Sequence, residues 1–228
     1  MRIDLDLGPL RRRIAGIAIA ALAASVLALA PAAAGPGTGL PSAHADACPD
    51  VEVVFARGTD QPAGIGPVGQ AFVDSLRGRI GGRSLGVYAV NYPATHDFLA
   101  AANGANDASA HIQYMMANCP NTRLVLGGYS QGAAIIDVVT SVPFPAVGFD
   151  NPLPPNAPDF IAAVAVFGNP TAKVGLPLTV SPVYGSRAVD LCTANDPVCS
   201  GGDDVAAHSN YGANGLTDQA AAFVASRL

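Results

Sequence analysis

The segment from Arg123 to Val139 constrains the fold more than any other part of the chain. The apolar run Arg123–Tyr129 is typical of a buried strand, and it passes through one sharp turn into the apolar run 133–139. This second run is apolar on nearly every side, which predicts a helix buried deep in the domain. A strand that leads directly into such a helix is the unit from which parallel sheets with right-handed crossovers are built.

Further strands and helices alternate around this unit. Strands are expected at 51–56, 85–90, 161–167 and 183–189, and helices at 68–80, 103–118 and 215–227. Residues 142–160 contain six prolines and are expected to form a loop. Nearly continuous apolar strands fit a sheet that helices cover on both faces. We therefore predict a single three-layer α/β domain, without an internal repeat or a second domain.

Composition and charge exclude several classes of function. The chain has 228 residues, of which half are apolar and 13% are charged, so it can bury a core and is not disordered. Residues 46–228 carry 8 basic and 15 acidic side chains, a net charge of -7. A domain this acidic has no electrostatic footprint for nucleic acid, and it would not bind anionic membranes through basic patches.

The N-terminus has the order of features found in an export signal. Arg11, Arg12 and Arg13 precede an apolar stretch at 14–34, and the small-residue motif Ala43-His44-Ala45 follows. We predict a signal peptide at 1–45 and a secreted or cell-wall-associated domain at 46–228, with no stable membrane insertion after cleavage. The apolar stretch spans 21 residues, which is long for a signal peptide, so an uncleaved membrane anchor is the alternative.

All four cysteines lie beyond the predicted cleavage site, at Cys48, Cys119, Cys192 and Cys199. An even number in an exported domain indicates two disulfides, for which three connectivities exist. Turn-forming residues between Cys192 and Cys199 favour a local bridge, which would leave Cys48 to join Cys119. A metal site is the rival interpretation, but no Cys-x-x-Cys pair and no histidine at ligand spacing supports it. We expect neither a metal nor a cofactor.

The turn inside the constraining segment reads Gly128-Tyr129-Ser130-Gln131-Gly132. A Gly-x-Ser-x-Gly turn between a strand and a helix is the setting of a nucleophilic serine, because it lifts the hydroxyl clear of the sheet beside a helix N-terminus. The alternative is an ordinary capping serine in a glycine-flanked turn. The context favours Ser130 as a nucleophile.

A serine nucleophile needs a base, and the base needs an orienting acid, in the chain order serine, acid, histidine. His208 is the single histidine after Ser130, and it lies in a polar loop before the last helix, so we predict it as the base rather than a solvated surface residue. Of the two earlier histidines in the domain, His96 could line the rim of the site, and His111 is expected on a helix surface.

Seven aspartates lie between Ser130 and His208, and we predict Asp196 as the acid. A bridge between Cys192 and Cys199 would hold its carboxylate rigidly, as the orientation of an imidazole requires. The weaker candidates are too far along the helix, in the proline-rich loop, at the end of a strand, or merely adjacent to the histidine: Asp137, Asp150, Asp159, Asp190, Asp203 and Asp204.

An oxyanion hole needs two donors close to the nucleophile. We expect the backbone N–H of Gln131, directly after Ser130, and a second donor from the loop after the first strand. In that loop Thr59 can offer both its N–H and its hydroxyl, although it could also be an ordinary loop threonine.

Together these motifs resemble the cutinase family over residues 48–228. Ala56-Arg57-Gly58-Thr59 is similar to its oxyanion loop, Gly128 to Gly132 to its nucleophile turn, Cys192 to Cys199 to its acid loop, and His208 with Tyr211 to its base loop. The resemblance implies a lidless α/β-hydrolase fold with a five-stranded parallel sheet. It also implies pairing of Cys48 with Cys119 and of Cys192 with Cys199, and hydrolysis of carboxylic esters without a cofactor.

Three departures from the family pattern concern the substrate rather than the reaction. Thr59 stands where serine is more familiar, Pro197 follows the acid, and the loop at 142–160 is long and proline-rich. We expect a monomeric enzyme that acts on short- to medium-chain esters or lipids, cutin being one such ester. The alternatives are a carbohydrate esterase of the acetylxylan type and a non-catalytic secreted protein of the same fold.

Overall fold

The computed structural model describes residues 48–228, and the predicted signal peptide at 1–45 lies outside the described residues. One parallel sheet has the strand order β2-β1-β3-β4-β5. The strands are β1 (Val51–Ala56), β2 (Leu85–Ala89), β3 (Arg123–Tyr129), β4 (Ile161–Phe167) and β5 (Ala188–Leu191). The helices are α1 (Gly66–Arg77), α2 (Ala101–Asn118), α3 (Gln131–Ser141), α4 (Pro170–Lys173) and α5 (Leu216–Ala225).

The sheet is covered on both faces, as its apolar strands predicted. One apolar cluster joins side chains such as Val54 and Leu126 to helices α2 and α3. The other joins Val53 and Phe55 to helices α1 and α5. Because successive side chains of a strand point to opposite faces, β1, which is apolar at every position except Glu52, supplies both clusters. Each large side chain that is fully buried stabilises the fold by about 1.5–3 kcal/mol.

Element bounds agree with the sequence where the pattern is strongest. The strands β1, β3 and β4 begin and end at the predicted residues, β2 ends one residue early, and α2 begins two residues early. The predicted helix face at 68–80 extends past α1, which ends at Arg77, although Ile80 is still buried. Core burial therefore continues into the turn that follows the helix.

The fifth strand is the clearest error of the sequence analysis. It was predicted at 183–189, whereas β5 comprises Ala188–Leu191. A 3₁₀ turn at Gly185–Arg187 precedes it, and the backbone of Gly185 packs so closely on Thr179 that an added Cβ would lie 2.4 Å from its carbonyl oxygen. Apolar residues before the strand are buried without belonging to it, as Tyr184 is.

The prediction for His111 was also wrong. Its side chain is only 16% exposed, its ring stacks on Tyr88 with centroids 3.5 Å apart, and Nε2 faces Oε1 of Glu52. It covers the edge of the sheet beside β2, so it is part of the packing and not a surface residue.

All five strands are parallel, so their carboxyl ends meet at one edge of the sheet, where α/β proteins place their sites. The loops after β1, β3, β4 and β5 therefore converge. Among the described residues, no helix combines the length and the apolar character needed to cross a membrane.

Candidate active site

Ser130 occupies a strained turn between β3 and α3. Its φ is 56° and its ψ is -119°, a backbone region that non-glycine residues rarely adopt and that costs about 1–3 kcal/mol. The turn is possible because Gly132 lies against β1, where an added Cβ would be 2.0 Å from the carbonyl oxygen of Ala56. The N–H of Ser130 donates to the carbonyl of Phe167 at 2.8 Å, which ties the turn to β4. The hydroxyl is partly exposed at the carboxyl edge of the sheet.

His208 lies within hydrogen-bond distance of the serine. Its Nε2 is 2.9 Å from Oγ of Ser130, and its side chain is 16% exposed. The 3₁₀ turn Val205–Ser209 carries it, and the carboxylate of Asp204 caps this turn by accepting from the N–H groups of Ala206 and Ala207. Gly168 with φ of 60° makes room for the ring, since a Cβ there would lie 2.8 Å from Cε1 of His208.

Tyr129, the residue before the serine, braces the histidine. Its hydroxyl donates to the backbone carbonyl of His208 at 2.7 Å, and the two rings stack with centroids 4.9 Å apart. Burial raises the pKa of Tyr129 to about 12, so the phenol keeps its proton at ordinary pH. The same turn therefore carries the nucleophile and positions the loop of the base.

Asp196 completes a line of hydrogen bonds from the serine inward. Its Oδ2 lies 2.7 Å from Nδ1 of His208, and the residue is fully buried. Oδ2 also accepts from the hydroxyl of Tyr211, and Oδ1 accepts from the N–H of Val198 at 2.8 Å. Burial alone would raise the pKa of Asp196, but these hydrogen bonds together with His208 hold it below its usual value. The group is therefore a carboxylate at neutral pH.

None of the other candidate acids contacts the histidine. Asp190, at the end of β5, accepts from the side chain of Asn169 and from the N–H of Leu178. Asp204 caps the turn below His208, and Asp203 is exposed to solvent. Asp137 accepts from the hydroxyl of Thr171. Asp150 and Asp159 are exposed residues of the proline-rich loop.

The loop after β1 lies against the nucleophile. A Cβ added at Gly58 would be 3.5 Å from Cβ of Ser130, which places Thr59 at the mouth of the site. Gln131 is the first residue of α3, where a helix leaves N–H groups without intrahelical acceptors. Within residues 48–228, neither the N–H of Thr59 nor that of Gln131 has a protein acceptor.

Sequence reasoning missed the group that holds this loop. Arg57 is buried, and its guanidinium donates to the backbone carbonyls of Gln61, Val90 and Tyr92. The hydroxyl of Tyr92 donates back to the carbonyl of Arg57. Three carbonyls and the ring of Tyr92, whose centroid lies 4.8 Å from Cζ of Arg57, hold this buried cation, which fixes the loop from two sides. Its charge also favours a negative oxygen nearby. In the sequence, the arginine directly before Gly58 was the feature that could have indicated this role.

The cysteines form two disulfides, Cys48 with Cys119 and Cys192 with Cys199. The second closes a short loop around Asp196, and the sulfurs of that loop lie near the carboxylate. Sulfurs that are bonded to each other offer no thiolate, so this cluster does not suit a metal ion. Asp196 is fixed further by the hydrogen bond from the hydroxyl of Ser200 to its backbone carbonyl.

His96 lies beside the loop after β1 rather than beside Ser130. Its Nε2 is 2.7 Å from Oδ2 of Asp60, and both side chains are exposed. The histidine therefore contacts the residue that follows Thr59.

A parallel sheet with a serine on the turn after its central strand, and a histidine at that serine, is the architecture of an α/β-hydrolase. A family model described as Cutinase matches residues 47–228, which includes every described residue. The chain therefore belongs to the cutinase family of serine ester hydrolases.

Similar proteins support this assignment. The chain is 55% identical over 218 residues to phospholipase Culp4 of Mycobacterium tuberculosis, covering 95% of this chain and 92% of that protein. It is 50% identical over 224 residues to carboxylesterase Culp1 of Mycobacterium bovis, covering 95% of each.

Two solved structures show the same fold. A Trichoderma reesei cutinase in complex with a C11Y4 phosphonate inhibitor has a TM-score of 0.64 and 35% identity, over 78% of this chain and 76% of that chain. An acetylxylan esterase has a TM-score of 0.67 and 28% identity, over 79% of this chain and 99% of that chain.

Proposed function

We propose that this protein is a secreted carboxylic ester hydrolase that works through an acyl-enzyme with Ser130, His208 and Asp196 as its catalytic triad. The observation that carries the proposal is the unbroken pair of hydrogen bonds from Ser130 to His208 and from His208 to Asp196. A serine hydroxyl is a weak nucleophile until a base in this position takes its proton.

The reaction runs in two halves. Nε2 of His208 takes the proton of Ser130 as Oγ attacks the ester carbonyl carbon, and the imidazolium then gives the proton to the leaving alcohol. Water attacks the acyl-enzyme in the second half, with His208 again as base. Asp196 holds the tautomer of the imidazole and stabilises its cation, which is why a carboxylate with a lowered pKa suits this position.

The N–H groups of Thr59 and Gln131 form the oxyanion hole. Both lack protein acceptors and flank Ser130, so they can bind the negative oxygen of each tetrahedral intermediate. Removing one donor of an oxyanion hole typically costs about 10²–10³ in kcat. A side-chain substitution cannot remove a backbone donor. Thr59→Ala removes the hydroxyl of Thr59 and keeps its N–H, so this variant measures the contribution of the hydroxyl alone.

The substrate we propose is an ester of an apolar acid, such as a short- to medium-chain ester or a lipid. Exposed apolar side chains lie on segments next to the site: Phe98 and Leu99 line an apolar cavity together with Gln131, and Val205 lies on the loop of the base. Clusters of this kind mark a surface that meets an apolar partner. The relatives named phospholipase and carboxylesterase support the same substrate class.

A second candidate is the removal of acetyl groups from a carbohydrate, since an acetylxylan esterase shares the fold over nearly its whole length. The apolar rim favours the first candidate, because sugar hydroxyls need polar partners. Parallel assays with p-nitrophenyl butyrate, acetylated xylan and a phospholipid distinguish them. Faster release of acetate from xylan than of acid from the other two would favour the carbohydrate esterase.

The test of the proposed chemistry is Ser130→Ala, which removes one oxygen from a turn that stays otherwise intact. Ester turnover should fall by about 10⁴-fold or more. A serine-directed phosphonate should label the wild type once, at Ser130, and leave the variant unlabelled. Labelling at a different serine would contradict the assignment.

Secretion and a monomeric state are parts of the same proposal. Two disulfides support an oxidising compartment, and every group of the site comes from one chain. N-terminal sequencing of the protein from culture medium should begin at Asp46, whereas retention in the membrane fraction would favour the uncleaved anchor. Light scattering of the purified protein should give the mass of one chain.

A further inference from the structure

We propose that the side chain of Gln131 is a positioning residue of the oxyanion hole, which ties both donors of that hole to the segment 92–96, an inference that rests on the proposed function. The backbone N–H of Gln131 is one of the two proposed donors, but its carboxamide makes a separate contact. Nε2 donates to the backbone carbonyl of Thr95 at 2.8 Å, in the loop that follows β2. The start of α3 is therefore tied to a loop that carries no member of the proposed triad.

The same segment holds the loop of the other proposed donor, Thr59. The N–H of Asp60 donates to the carbonyl of Ala94 at 2.6 Å. On the other side, the N–H of Gly58 donates to Oε1 of Gln61 at 2.9 Å. The N–H groups before and after Thr59 are thus both bound, which fixes the direction of the N–H between them.

The segment 92–96 is itself held in one conformation. Ala94 has a φ of 53° and is only 2% exposed, so the packing around it imposes a left-handed backbone. Arg57 donates to the carbonyl of Tyr92 at 2.7 Å, and the hydroxyl of Tyr92 donates back to the carbonyl of Arg57. A rigid segment that contacts the loops of both donors sets the distance between them. An oxyanion hole needs this distance to be correct before the reaction begins, because its donors act without reorganisation.

The carboxamide of Gln131 carries a cost in stability. The residue is 3% exposed, and its Oε1 has no hydrogen-bond partner within the described part of the chain. A buried acceptor without a donor destabilises a fold, and a thioether side chain of similar length would avoid this cost. An unpaired buried group in a native structure calls for an explanation. The explanation here is the other end of the amide, where Nε2 holds Thr95.

A purely structural role of Gln131 is the alternative, and the two roles predict different results. If Gln131 only joins two loops, its removal lowers stability and leaves the chemistry unchanged. If it positions the oxyanion donors, its removal lowers the rate and leaves stability unchanged or improved.

The first variant is Gln131→Met, which removes both the donor and the unpaired acceptor. Its thermal midpoint should equal or exceed that of the wild type, since Thr95 is exposed and its carbonyl can bond to water. Its kcat for p-nitrophenyl butyrate should fall by about tenfold with KM within about twofold, because the weakened interaction forms only in the transition state. Loss of a whole donor typically costs about 10²–10³ in kcat, so a displaced donor should cost less.

An alkyl trifluoromethyl ketone measures the oxyanion hole directly. Oγ of Ser130 adds to its carbonyl carbon, His208 takes the hydroxyl proton, and the ketone oxygen becomes an oxyanion like that of the ester intermediate. The inhibition constant should rise by about tenfold in Gln131→Met, in proportion to the loss in kcat/KM. An unchanged inhibition constant beside a lowered kcat would overturn the proposal, because the defect would then lie outside the oxyanion hole.

The matched control is Gln113→Met, the same substitution at a partly buried glutamine of α2. Nε2 of Gln113 donates to Oγ of Ser109 at 3.2 Å and to Oδ1 of Asn151 at 3.0 Å, so it ties α2 to the proline-rich loop. The control should melt about 2–4 °C below the wild type and keep its kcat and its inhibition constant. The two substitutions should therefore have opposite effects on stability and on rate.

Gln131→Glu tests the donor by itself, and it remains informative if Gln131→Met fails to fold. The introduced carboxylate has no hydrogen for the carbonyl of Thr95, whereas the protonated carboxyl can donate again. The ratio of wild-type to variant kcat should be at least about tenfold at pH 8 and should fall towards one as the pH is lowered. His208 and the pair of His96 with Asp60 titrate in both proteins, so their effects cancel in this ratio. A ratio that is constant with pH would overturn the proposal.

The outcomes separate this inference from the proposed function. A wild type without any turnover that depends on Ser130 would overturn the proposed function. Turnover that depends on Ser130, with kcat within about twofold of wild type in both Gln131 variants, would overturn only the positioning role. Equal losses of kcat in Gln131→Met and Gln113→Met would overturn that role as well, since the effect would then follow from a general loss of stability.

Discussion

The hydroxyl of Tyr211 donates a hydrogen bond at 2.5 Å to Oδ2 of Asp196, and both residues are fully buried. The same carboxylate oxygen faces His208. Burial and the neighbouring carboxylate raise the pKa of Tyr211, so the phenol remains a donor at every working pH. We infer that Tyr211 is a positioning residue, which keeps Asp196 charged and aimed at the imidazole.

Tyr211→Phe should therefore weaken both stability and catalysis. Loss of a hydrogen bond to a buried carboxylate costs about 1.5–3 kcal/mol of unfolding free energy. We expect kcat to fall by about tenfold, equivalent to roughly 1.4 kcal/mol, with little change in KM. Urea unfolding and a p-nitrophenyl butyrate assay measure the two effects.

The pH dependence identifies the cause of the Tyr211→Phe effect. The pKa of Asp196 lies below its ordinary value of 3.8, so its stabilising contribution is present at neutral pH and is lost as the pH falls through the folded-state pKa. The difference in unfolding free energy between wild type and variant should have its full value at neutral pH and should decrease below about pH 4. Tyr184→Phe is the matched control, since Tyr184 is also buried but contacts no site residue. A difference that is constant with pH would indicate a packing defect instead.

The choice of acid can be tested by single substitutions. Asp196→Asn should lower kcat by about 10⁴-fold, because an amide no longer fixes the required tautomer of His208. Asp204→Asn keeps a good capping residue below the base, and Asp203→Asn changes an exposed side chain, so each should alter kcat by less than about threefold. Steady-state kinetics on the three proteins provide the comparison. A larger loss at Asp203 or Asp204 would transfer the role of acid to that residue.

The fold was largely predictable because its central strands are continuous apolar runs. The strands β1, β3 and β4 are apolar apart from Glu52 and Arg123, which lie near the start of β1 and at the start of β3, and turn residues follow each strand. The start of the fifth strand was not predictable, because Val183 and Tyr184 are apolar like strand residues but lie before a 3₁₀ turn at Gly185–Arg187, where Tyr184 is buried outside the sheet. A segment that is buried without regular structure can show the same apolar pattern in the sequence as a buried strand.

The residues that meet in the site were predictable from motif and chain order, but the contacts that brace them were not. The hydrogen bond from Tyr129 to His208 spans 79 residues of sequence, and those from Arg57 to Val90 and Tyr92 cross between two strand ends. Such pairs depend on the register of the sheet, which local pattern does not specify. A single sequence therefore does not predict which distant polar residues will contact each other in the folded protein.

A third prediction concerns Asp137, whose behaviour is opposite to that of Asp196. Burial raises the pKa of Asp137 to about 6, although hydrogen bonds from Thr171 and Asn169 act against the rise. Between about pH 4 and pH 6 the folded state holds a proton that the unfolded state releases, so stability falls as the pH rises through this window. Asp137→Asn should remove this part of the slope and stabilise the protein at pH 7 by about 1–2 kcal/mol.

Unfolding curves at half-unit steps from pH 4 to pH 7 measure the Asp137 effect. Asp150→Asn serves as the control, since it removes an exposed carboxylate and changes the net charge by the same amount. If Asp137→Asn and Asp150→Asn give equal slopes, overall charge and not burial explains the pH dependence.

The two disulfides should matter for different reasons. Cys48 and Cys119 are 71 residues apart in sequence and join the end of α2 to the start of β1, so the chain-entropy model gives about 4 kcal/mol of stability. Cys192 and Cys199 are 7 residues apart, for which the same model gives about 2 kcal/mol. The second bridge encloses the loop of Asp196, so its main effect should be on the position of the carboxylate.

Two double alanine variants test this distinction, each assayed for its thermal midpoint and for ester turnover at low temperature. Loss of the bridge between Cys48 and Cys119 should lower the midpoint strongly, yet turnover should stay near normal while the protein is folded, since that bridge contacts no site residue. Loss of the bridge between Cys192 and Cys199 should lower the midpoint less and remove most of the turnover. Full activity in the second variant would mean that the hydrogen bonds of Ser200 and Val198 suffice to hold Asp196. The rigid ring would then be a stabilising feature of the loop and not the element that positions the acid.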